Sequence, residues 1–322
     1  MPLNFRTLIA ALIILPLHCH GVGTVLDEVV VTATKGETLI GNTAASIGFI
    51  DESILRGVDP THINEILQRV PGVWISRGNG QEHLTAIRSP VLTGAGSCGA
   101  FIMAQDGISL RSPGFCNVNE LFEATTELAS RIEVVRGPDS SIYGSNAMHG
   151  VINILTPEPV ADLREVTVES GPNDYYRTRL TLSSDSLRLD VSGTTDGGYK
   201  DQSGFDQQKM LLKHRVLTAD REITTTFSYT NLNQETAGFI KGRDSYKDSR
   251  QKRDNPNPEA YRDARSFRLI SEIDQQLGKG SLVIKPYLRH VEMEFLQHFL
   301  PGQAIEENGH DSIGVSMLWN PD

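Results

Sequence analysis

The stretch Arg131-Ile132-Glu133-Val134-Val135-Arg136-Gly137-Pro138, followed by Val151-Ile152-Asn153-Ile154-Leu155, decides the fold of the first half of the chain. Residues 131–136 alternate and are rich in β-branched side chains, which predicts a strand. Gly137-Pro138 breaks that strand, because both residues interrupt regular sheet structure. Residues 151–155 then predict a second strand of the same domain.

A short helix and a second helical region are predicted around these strands. Asp59 caps the first helix, Pro60 suits its first turn, and Pro71-Gly72 ends it. The second helical region is predicted over residues 117–128. Helices and short strands alternate from about residue 36 to 156, which indicates a small α+β domain. The inward apolar residues are Ile63, Ile66, Leu67 and Val70 in the first helix, and Val118, Leu121 and Phe122 in the second.

After residue 159 no helix is predicted, and apolar and polar side chains alternate. Several of these runs exceed the roughly 5–6 residues usual in soluble sheets. Apolar-out, polar-in alternation over about ten residues is typical of a transmembrane β-barrel. A soluble antiparallel sandwich alternates in the same way, so the pattern leaves both open. The predicted strands lie near residues 163–170, 174–184, 187–196, 206–217, 221–233, 264–276, 281–295 and 310–319.

Two further features belong to this second half. The longest gap between strands, residues 233–263, has a basic excess that would suit an anionic ligand or a lipopolysaccharide surface. A merely solvated loop would have the same composition. Aromatic residues near strand ends are candidates for the girdles of a barrel; they are Tyr175, Tyr176, Tyr229, Tyr287 and Trp319.

The N-terminus predicts export from the cytoplasm. A basic start at Met1–Arg6 precedes the apolar run Leu8–Leu17, which is too short to span a bilayer of roughly 30 Å as a helix. Small residues follow, so the pattern is typical of a secretory signal peptide ending at Gly21. Cys19 leaves a lipoprotein signal as an alternative.

Composition and motifs exclude several function classes. The net charge of −10 argues against nucleic-acid binding. Outside the signal the chain has two cysteines, Cys98 and Cys116, which favour a disulfide in an oxidising compartment over a pair of metal ligands. Gly94–Gly99 fits G-x-G-x-x-G, but Pro90 precedes it closely and no βαβ unit surrounds it. With no catalytic or metal-binding spacing, neither an enzyme nor a cofactor or metal is predicted.

The segment Asp27–Ala33 contains three consecutive valines and a threonine, which form strands strongly. It lies at a free end, with no turn and partner strand beside it in the sequence. Such a segment is suited to pairing with the sheet edge of another protein. The alternative is an ordinary first strand of the domain.

Several motifs together resemble the TonB-dependent outer-membrane receptors. Asp27–Ala33 resembles their TonB box, and Asn64–Val73 resembles the first helix of their plug domain and the strand behind it. Arg131–Pro138 carries the strongest match. The remaining matching blocks are Ala86–Arg88, Gln105–Leu110, Tyr143–Ala147 and Gly150–Ile154.

This resemblance implies an α+β plug domain followed by an antiparallel transmembrane β-barrel. Such barrels have about 22 strands, whereas this chain provides about eight, so the barrel is expected to be incomplete and the chain a fragment. The expected boundaries are 1–21 for the signal peptide, 22–36 for the TonB box segment, 37–160 for the plug domain and 161–322 for the partial barrel.

The family also implies a function and partners. The expected activity is uptake of a scarce ligand, such as a ferric siderophore, across the Gram-negative outer membrane, energised by TonB through strand pairing at the box. Alternatives are a receptor for haem, cobalamin or an oligosaccharide, or a binding protein that does not transport. The expected partners are TonB, outer-membrane lipid with lipopolysaccharide, and the extracellular ligand, with the receptor itself a monomer.

Site residues are likewise implied by the resemblance. The TonB-binding residues would be Asp27, Glu28, Val29, Val30, Val31, Thr32 and Ala33. Arg88 and Arg136 would hold the plug against the barrel. Candidate ligand contacts near the cysteine loop are Phe101, Arg111 and Phe115. Three glycines are assigned to backbone conformation rather than chemistry; they are Gly137, Gly144 and Gly150.

Overall fold

The computed structural model describes residues 29–36, 38–91, 99–111 and 122–321. The predicted signal peptide, Asp27, Glu28, Cys98, Phe115 and Cys116 lie outside these ranges. No helix within them is long and apolar enough to cross a membrane.

The first half forms an α+β domain, as predicted. In chain order its elements are β1 Val29–Val30, β2 Thr38–Leu39, β3 Ile47–Ile50, α1 Glu52–Val58, α2 Ile63–Leu67, β4 Val73–Arg77, β5 His83–Ile87, β6 Ile102–Gln105, β7 Ile108–Ser109, β8 Arg131–Arg136, α3 Ser140–Tyr143 and β9 Gly150–Leu155. A five-stranded sheet has the order β3-β8-β9-β6-β7, with β6 and β9 parallel and the other pairs antiparallel.

The apolar core of this domain lies between the five-stranded sheet and the α2–β4–β5 unit. The α2 residues Ile66 and Leu67 are fully buried, and so is Ile87 of β5. They share one cluster with Ile132 and Ile152, from the strands that the sequence pattern identified. Burial of apolar area is the main stabilising contribution here.

The predicted start of the helix at Asp59 is wrong. Asp59 adopts a left-handed conformation at φ 50° and ends α1, a helix that the sequence pattern did not predict. The cap of α2 is His62, whose Nδ1 accepts from the Asn64 N–H at 3.0 Å. Glu65 accepts from the His62 N–H at 3.3 Å and completes a capping box.

The second predicted helical region is also wrong over its described part. Within residues 122–128 the structure has a 3₁₀ turn at Thr126–Leu128 and no α-helix. Phe122 is buried, as predicted, but it packs against residues of the second half of the chain, including Phe205 and Leu232. Its burial therefore depends on contact between the two halves.

The second half forms one antiparallel sheet in which each strand pairs with the next along the chain. Its strands are β10 Leu163–Gly171, β11 Tyr175–Ser183, β12 Leu187–Asp196, β13 Phe205–Leu217, β14 Arg221–Glu235, β15 Tyr261–Leu277, β16 Gly280–Leu296 and β17 Ile305–Asn320. All eight match the predicted strands. Because they form a single sheet, the sandwich interpretation is wrong; the sheet is not closed, since β10 and β17 each pair on one side only among the described residues.

The two faces of this sheet differ as the alternation predicted. Val168, Ile313 and Met317 are exposed on its outer face, whereas long polar side chains such as Arg177 and Arg268 are buried on its inner face. The prediction that Tyr175 belongs to an aromatic girdle on the outer face is wrong. Tyr175 faces inward, with its hydroxyl 2.9 Å from Thr61 Oγ1.

The connections divide the sheet into two ends. The short-turn end carries the turns 184–186, 218–220 and 278–279, and the long-loop end carries the connections 172–174, 197–204, 236–260 and 297–304. Short turns on one side and longer loops on the other are typical of outer-membrane barrels.

Glycine conformations bear out the assignment made from sequence. Gly137, Gly144 and Gly150 have φ values of 134°, 88° and 153°, which side chains disfavour. A Cβ on Gly150 would also overlap the carbonyl oxygen of Val135 in the neighbouring strand.

Candidate functional site

Buried cations on the inner face of the sheet bind the α+β domain, which is the plug domain expected from the sequence. Arg177 lies at the centre of the first group, with 1% of its side chain exposed. Its guanidinium pairs with Asp59 at 2.9 Å and with Glu169 at 2.7 Å. It also donates to the Pro60 carbonyl at 2.9 Å. The turn that ends α1 is thereby fixed to β11.

The same pattern recurs on β13, where two buried lysines reach the plug domain. Lys209 Nζ lies 2.9 Å from Glu127 and donates to the Ala124 carbonyl at 3.0 Å. Lys213 Nζ lies 2.7 Å from Glu158 and donates to the Thr156 carbonyl at 3.1 Å. Each ammonium therefore has both an opposite charge and a carbonyl oxygen, which offsets the cost of its burial.

Arginines on β15 and β16 extend this interface. Arg262 pairs with Glu82 at 3.3 Å, and Arg268 donates to Gln105 Oε1 at 3.0 Å. Arg289 pairs with Glu123, and both side chains are almost fully buried. In these buried pairs the cations come from the sheet, and most of the anions come from the plug domain.

Arg88 and Arg136 do not contribute to this interface among the described residues. Arg88 donates to the Arg136 carbonyl at 3.2 Å and to Ser46 Oγ at 3.1 Å. Arg136 donates to the carbonyls of Pro71 and Ile47 at 3.0 and 3.2 Å. Both join elements of the plug domain to one another. A contact with other parts of a barrel stays a prediction.

A cavity of about 1390 Å³ opens at the long-loop end. Its floor is the β4–β5 turn of the plug domain, where Asn79 Nδ2 donates to the Ala237 carbonyl at 3.0 Å. Phe239 and Phe299 line it with 87% and 65% of their area exposed. Lys241 and His298 add polar groups. This mixture of exposed aromatic rings and a few polar groups is typical of a small-molecule site.

The ligand contacts expected from sequence are not in this cavity. Phe101 is 3% exposed and belongs to the apolar core, and its role as a ligand contact stays a prediction. Arg111 is buried and donates to the Phe101 carbonyl at 3.3 Å. Phe115 lies outside the described residues. The exposed rings of Phe239 and Phe299 were missed, although aromatic residues in long polar loops were the available signal.

The segment around the predicted TonB box is docked against the plug domain. Val29 and Val30 pair with Leu39 and Thr38, so the expectation that this strand former has no partner strand is wrong. Val30 and Ala33 are buried in an apolar cluster of the plug domain. The docked segment lies at the short-turn end, as Gly36 approaches the Asn320 side chain at the end of β17.

A second cavity of about 820 Å³ lies beside the docked segment, between the plug domain and the sheet. Lys35, Lys213 and Lys285 line it, together with acidic residues of β14 and β15. Partial burial, followed by the charge of Lys285, lowers the pKa of Lys35.

Two buried histidines flank the β4–β5 turn. The rings of His62 and His83 lie 5.7 Å apart in an edge-to-face arrangement. Burial lowers the pKa of His62 to about 3 and that of His83 to about 4. Both rings are therefore neutral in the folded domain. Among the described residues no group of three or more His, Cys, Asp or Glu side chains is placed to hold a metal ion.

The family model of the TonB-dependent receptor plug domain matches residues 40–151. That span covers β3 to β9, with the five-stranded sheet and the α2–β4–β5 unit. Residues 40–151 are a TonB-dependent receptor plug domain. The eight-stranded sheet that follows has the fold of the barrel wall in such receptors.

Solved receptor structures share the fold of nearly the whole chain. FpvA of Pseudomonas aeruginosa, bound to heterologous pyoverdines, has a TM-score of 0.67 at 14% identity, over 90% of this chain and 40% of its own. FyuA, the ferric yersiniabactin uptake receptor of Yersinia pestis, has a TM-score of 0.62 at 15% identity, over 86% of this chain and 46% of its own. PiuA, a siderophore receptor of Acinetobacter baumannii, has a TM-score of 0.62 at 16% identity, over 80% of this chain and 38% of its own. The chain thus spans less than half the length of these receptors.

Proposed function

We propose that this chain is the plug and adjoining barrel wall of an outer-membrane receptor that imports a scarce ligand, most simply a ferric siderophore, and is no enzyme. The observation that carries the proposal is the arrangement of two sites at opposite ends of one plug domain. The ligand-sized cavity opens at the long-loop end, and the docked N-terminal segment lies at the short-turn end. A ligand signal and a pulling force would therefore act on the same plug from opposite sides.

The polar interface supports this function. A plug that stays seated and still moves needs contacts that water can replace, and buried ion pairs meet that need better than a continuous apolar interface. Arg177, Lys209 and Arg289 provide such contacts. The outer face of the sheet carries the exposed apolar band that suits a lipid environment.

The ligand class is inferred from the solved relatives and from the cavity. The matched structures are described as a pyoverdine receptor, a ferric yersiniabactin uptake receptor and a siderophore receptor. In this chain Phe239 and Phe299 would stack on the organic part of a chelate, and Lys241 would attract its net negative charge. Partners would be TonB at the N-terminal segment and lipid at the outer face.

The experiment is an uptake assay with radioactive iron in a strain that lacks its own siderophore receptors. The full-length receptor that contains this chain is supplied with a panel of ferric chelates of catecholate, hydroxamate and carboxylate type. Uptake of at least one chelate, abolished by a proton uncoupler, supports the proposal. Binding of haem, cobalamin or an oligosaccharide with no uptake of any ferric chelate would contradict the ligand class.

Val30→Pro tests TonB pairing at the N-terminal segment. Proline removes a backbone N–H and resists addition to a sheet edge, so we expect uptake to be lost and chelate binding at the outer face to remain. Val29→Ala is the control, because its exposed side chain leaves the backbone hydrogen bonds unchanged. Energised uptake at the normal rate by Val30→Pro would contradict a TonB box at this position.

A further inference from the structure

We propose that the buried carboxylate of Glu133 clasps the N-terminal segment and sets how often that segment is available for pairing. Glu133 lies in the middle of β8 and is 1% exposed. Its Oε2 accepts from the Val31 N–H at 3.0 Å, the Thr32 N–H at 2.8 Å and the Thr32 hydroxyl at 2.6 Å. The proposal rests on the proposed function only in naming TonB as the competing partner.

The clasp satisfies a charge that burial would otherwise disfavour. Glu133 Oε1 pairs with Arg131 at 3.0 Å, so one oxygen is held by a neighbour on the same strand. Among the described residues, the other oxygen accepts its three hydrogen bonds only from the N-terminal segment. When the segment leaves, Oε2 loses all three hydrogen bonds although Oε1 keeps Arg131, and the loss of hydrogen bonds to a buried carboxylate oxygen is costly. Return of the segment is therefore favoured.

The rest of the plug domain completes the socket around Thr32. Tyr143 donates its hydroxyl to the Thr32 carbonyl at 2.9 Å, and Asn153 Nδ2 donates to the Thr32 hydroxyl at 3.1 Å. Every polar group of Thr32 is thus engaged, and the residue is fully buried. Because all of its polar groups have partners here, Thr32 fixes the N-terminal segment in this one docked position.

Docking and strand pairing exclude one another at these residues. Two successive N–H groups, those of Val31 and Thr32, point at one oxygen. In an extended strand successive side chains and N–H groups alternate in direction, so residues 31 and 32 must change conformation before they can join a sheet edge. Consecutive N–H groups that converge on an anion are typical of a backbone nest, not of a strand.

The test measures undocking without TonB. Ala33→Cys introduces a thiol at a buried position of the segment, and its labelling rate by a maleimide in the purified receptor reports exposure. With Glu133→Gln we expect labelling at least about tenfold faster, since a neutral amide cannot accept from the segment and from Arg131 together. Glu123→Gln, at an equally buried plug carboxylate that pairs with Arg289 of the sheet and not with the segment, is expected to leave the rate unchanged.

A second pair of variants keeps the test decisive if Glu133→Gln misfolds. Thr32→Val removes the hydroxyl that bonds Glu133, whereas Thr34→Val removes one that bonds the Gly36 carbonyl and Thr38 in the described part of the chain. We expect several-fold faster labelling with Thr32→Val alone. Equal rates in each matched pair would overturn the clasp, and so would an equal rise with Glu133→Gln and Glu123→Gln.

A TonB-binding measurement distinguishes a failure of the clasp from a failure of the proposed function. Binding of the periplasmic domain of TonB to the receptor, without ligand, is expected to tighten in Glu133→Gln by the same factor as the labelling rate. Faster labelling with no TonB binding to any variant would uphold the clasp and contradict the proposed TonB partner. Tight TonB binding with an unchanged labelling rate in Glu133→Gln would uphold the proposed TonB partner and contradict the clasp.

Discussion

At the residue scale, buried cations on the sheet explain how a plug domain is retained. Arg177 is enclosed by two carboxylates and two carbonyl oxygens, whereas Arg56 forms an exposed pair with Glu165 at 3.3 Å. Both arginines join the plug domain to the first two strands of the sheet. They differ chiefly in burial, and this provides a direct comparison of their contributions.

Arg177→Met is expected to destabilise the seated plug by about 3–5 kcal/mol, because Glu169 would lose its buried ion pair and Asp59 would keep only Arg179 as a cationic partner. Arg56→Met, with both partners about half exposed, is expected to cost at most about 1 kcal/mol. Denaturant unfolding of the plug domain in detergent, followed by plug tryptophan fluorescence, measures the difference. Equal midpoints for the two variants would contradict a retaining role for Arg177.

Individual residues were the least predictable part of the sequence. Phe101 was expected at the ligand and lies in the core, while Arg88 was expected at the barrel and joins plug elements. In both cases the residue type was informative but its direction was not. Which way a side chain points depends on distant strands that pack against it, and a single sequence does not specify them.

At the element scale, α2 shows how a buried cap links stability to pH. The Nδ1 of His62 accepts a hydrogen bond from the first turn of α2, which requires that nitrogen to be unprotonated. Burial lowers the pKa values of His62 and His83 to about 3 and about 4, from an ordinary value of 6.5. Below pH 6.5 the unfolded chain binds protons that the folded domain does not.

We therefore expect the plug domain to lose stability as the pH falls from about 6.5 towards 4, by about 2 kcal/mol per histidine at pH 5. His62→Asn keeps a capping side chain and removes one titrating group. The stability that this variant loses between pH 7.5 and 5 should therefore be smaller than that of the unsubstituted domain. Hydrogen exchange of plug amides in the intact receptor measures this. An unchanged pH dependence in His62→Asn would contradict the assignment.

Elements themselves were predicted well where the pattern was long. The eight strands of the sheet and the pair β8 and β9 follow the sequence closely. The start of α2 was misplaced because histidine is an uncommon cap, and Asp59 next to Pro60 carries the stronger local signal. Pairing of β1 with β2 was missed because each strand is only two residues long.

At the scale of the whole molecule, the long-loop cavity combines loops of the sheet with the β4–β5 turn of the plug domain. Phe299→Ala is expected to weaken binding of a transported chelate roughly tenfold to a hundredfold, through loss of buried aromatic area. Phe267→Ala is the control, since that ring stacks on His290 at 5.2 Å outside the cavity. Fluorescence titration measures both affinities, and equal losses would contradict a ligand site at this cavity.

The sequence by itself determined the two-part architecture, because strand alternation and the plug motifs are local signals that survive without a partner. It also determined the backbone role of Gly150, whose conformation and close approach to β8 suit glycine alone. The tertiary structure decided which charges seat the plug, where the cavity opens and that Glu133 holds the N-terminal segment. Glu133 and Thr32 lie 101 positions apart in the sequence, and Arg268 and Gln105, which are hydrogen-bonded, lie 163 positions apart. The first contact exists only once the N-terminal segment has docked on β8, and the second only once the sheet has folded against the plug domain.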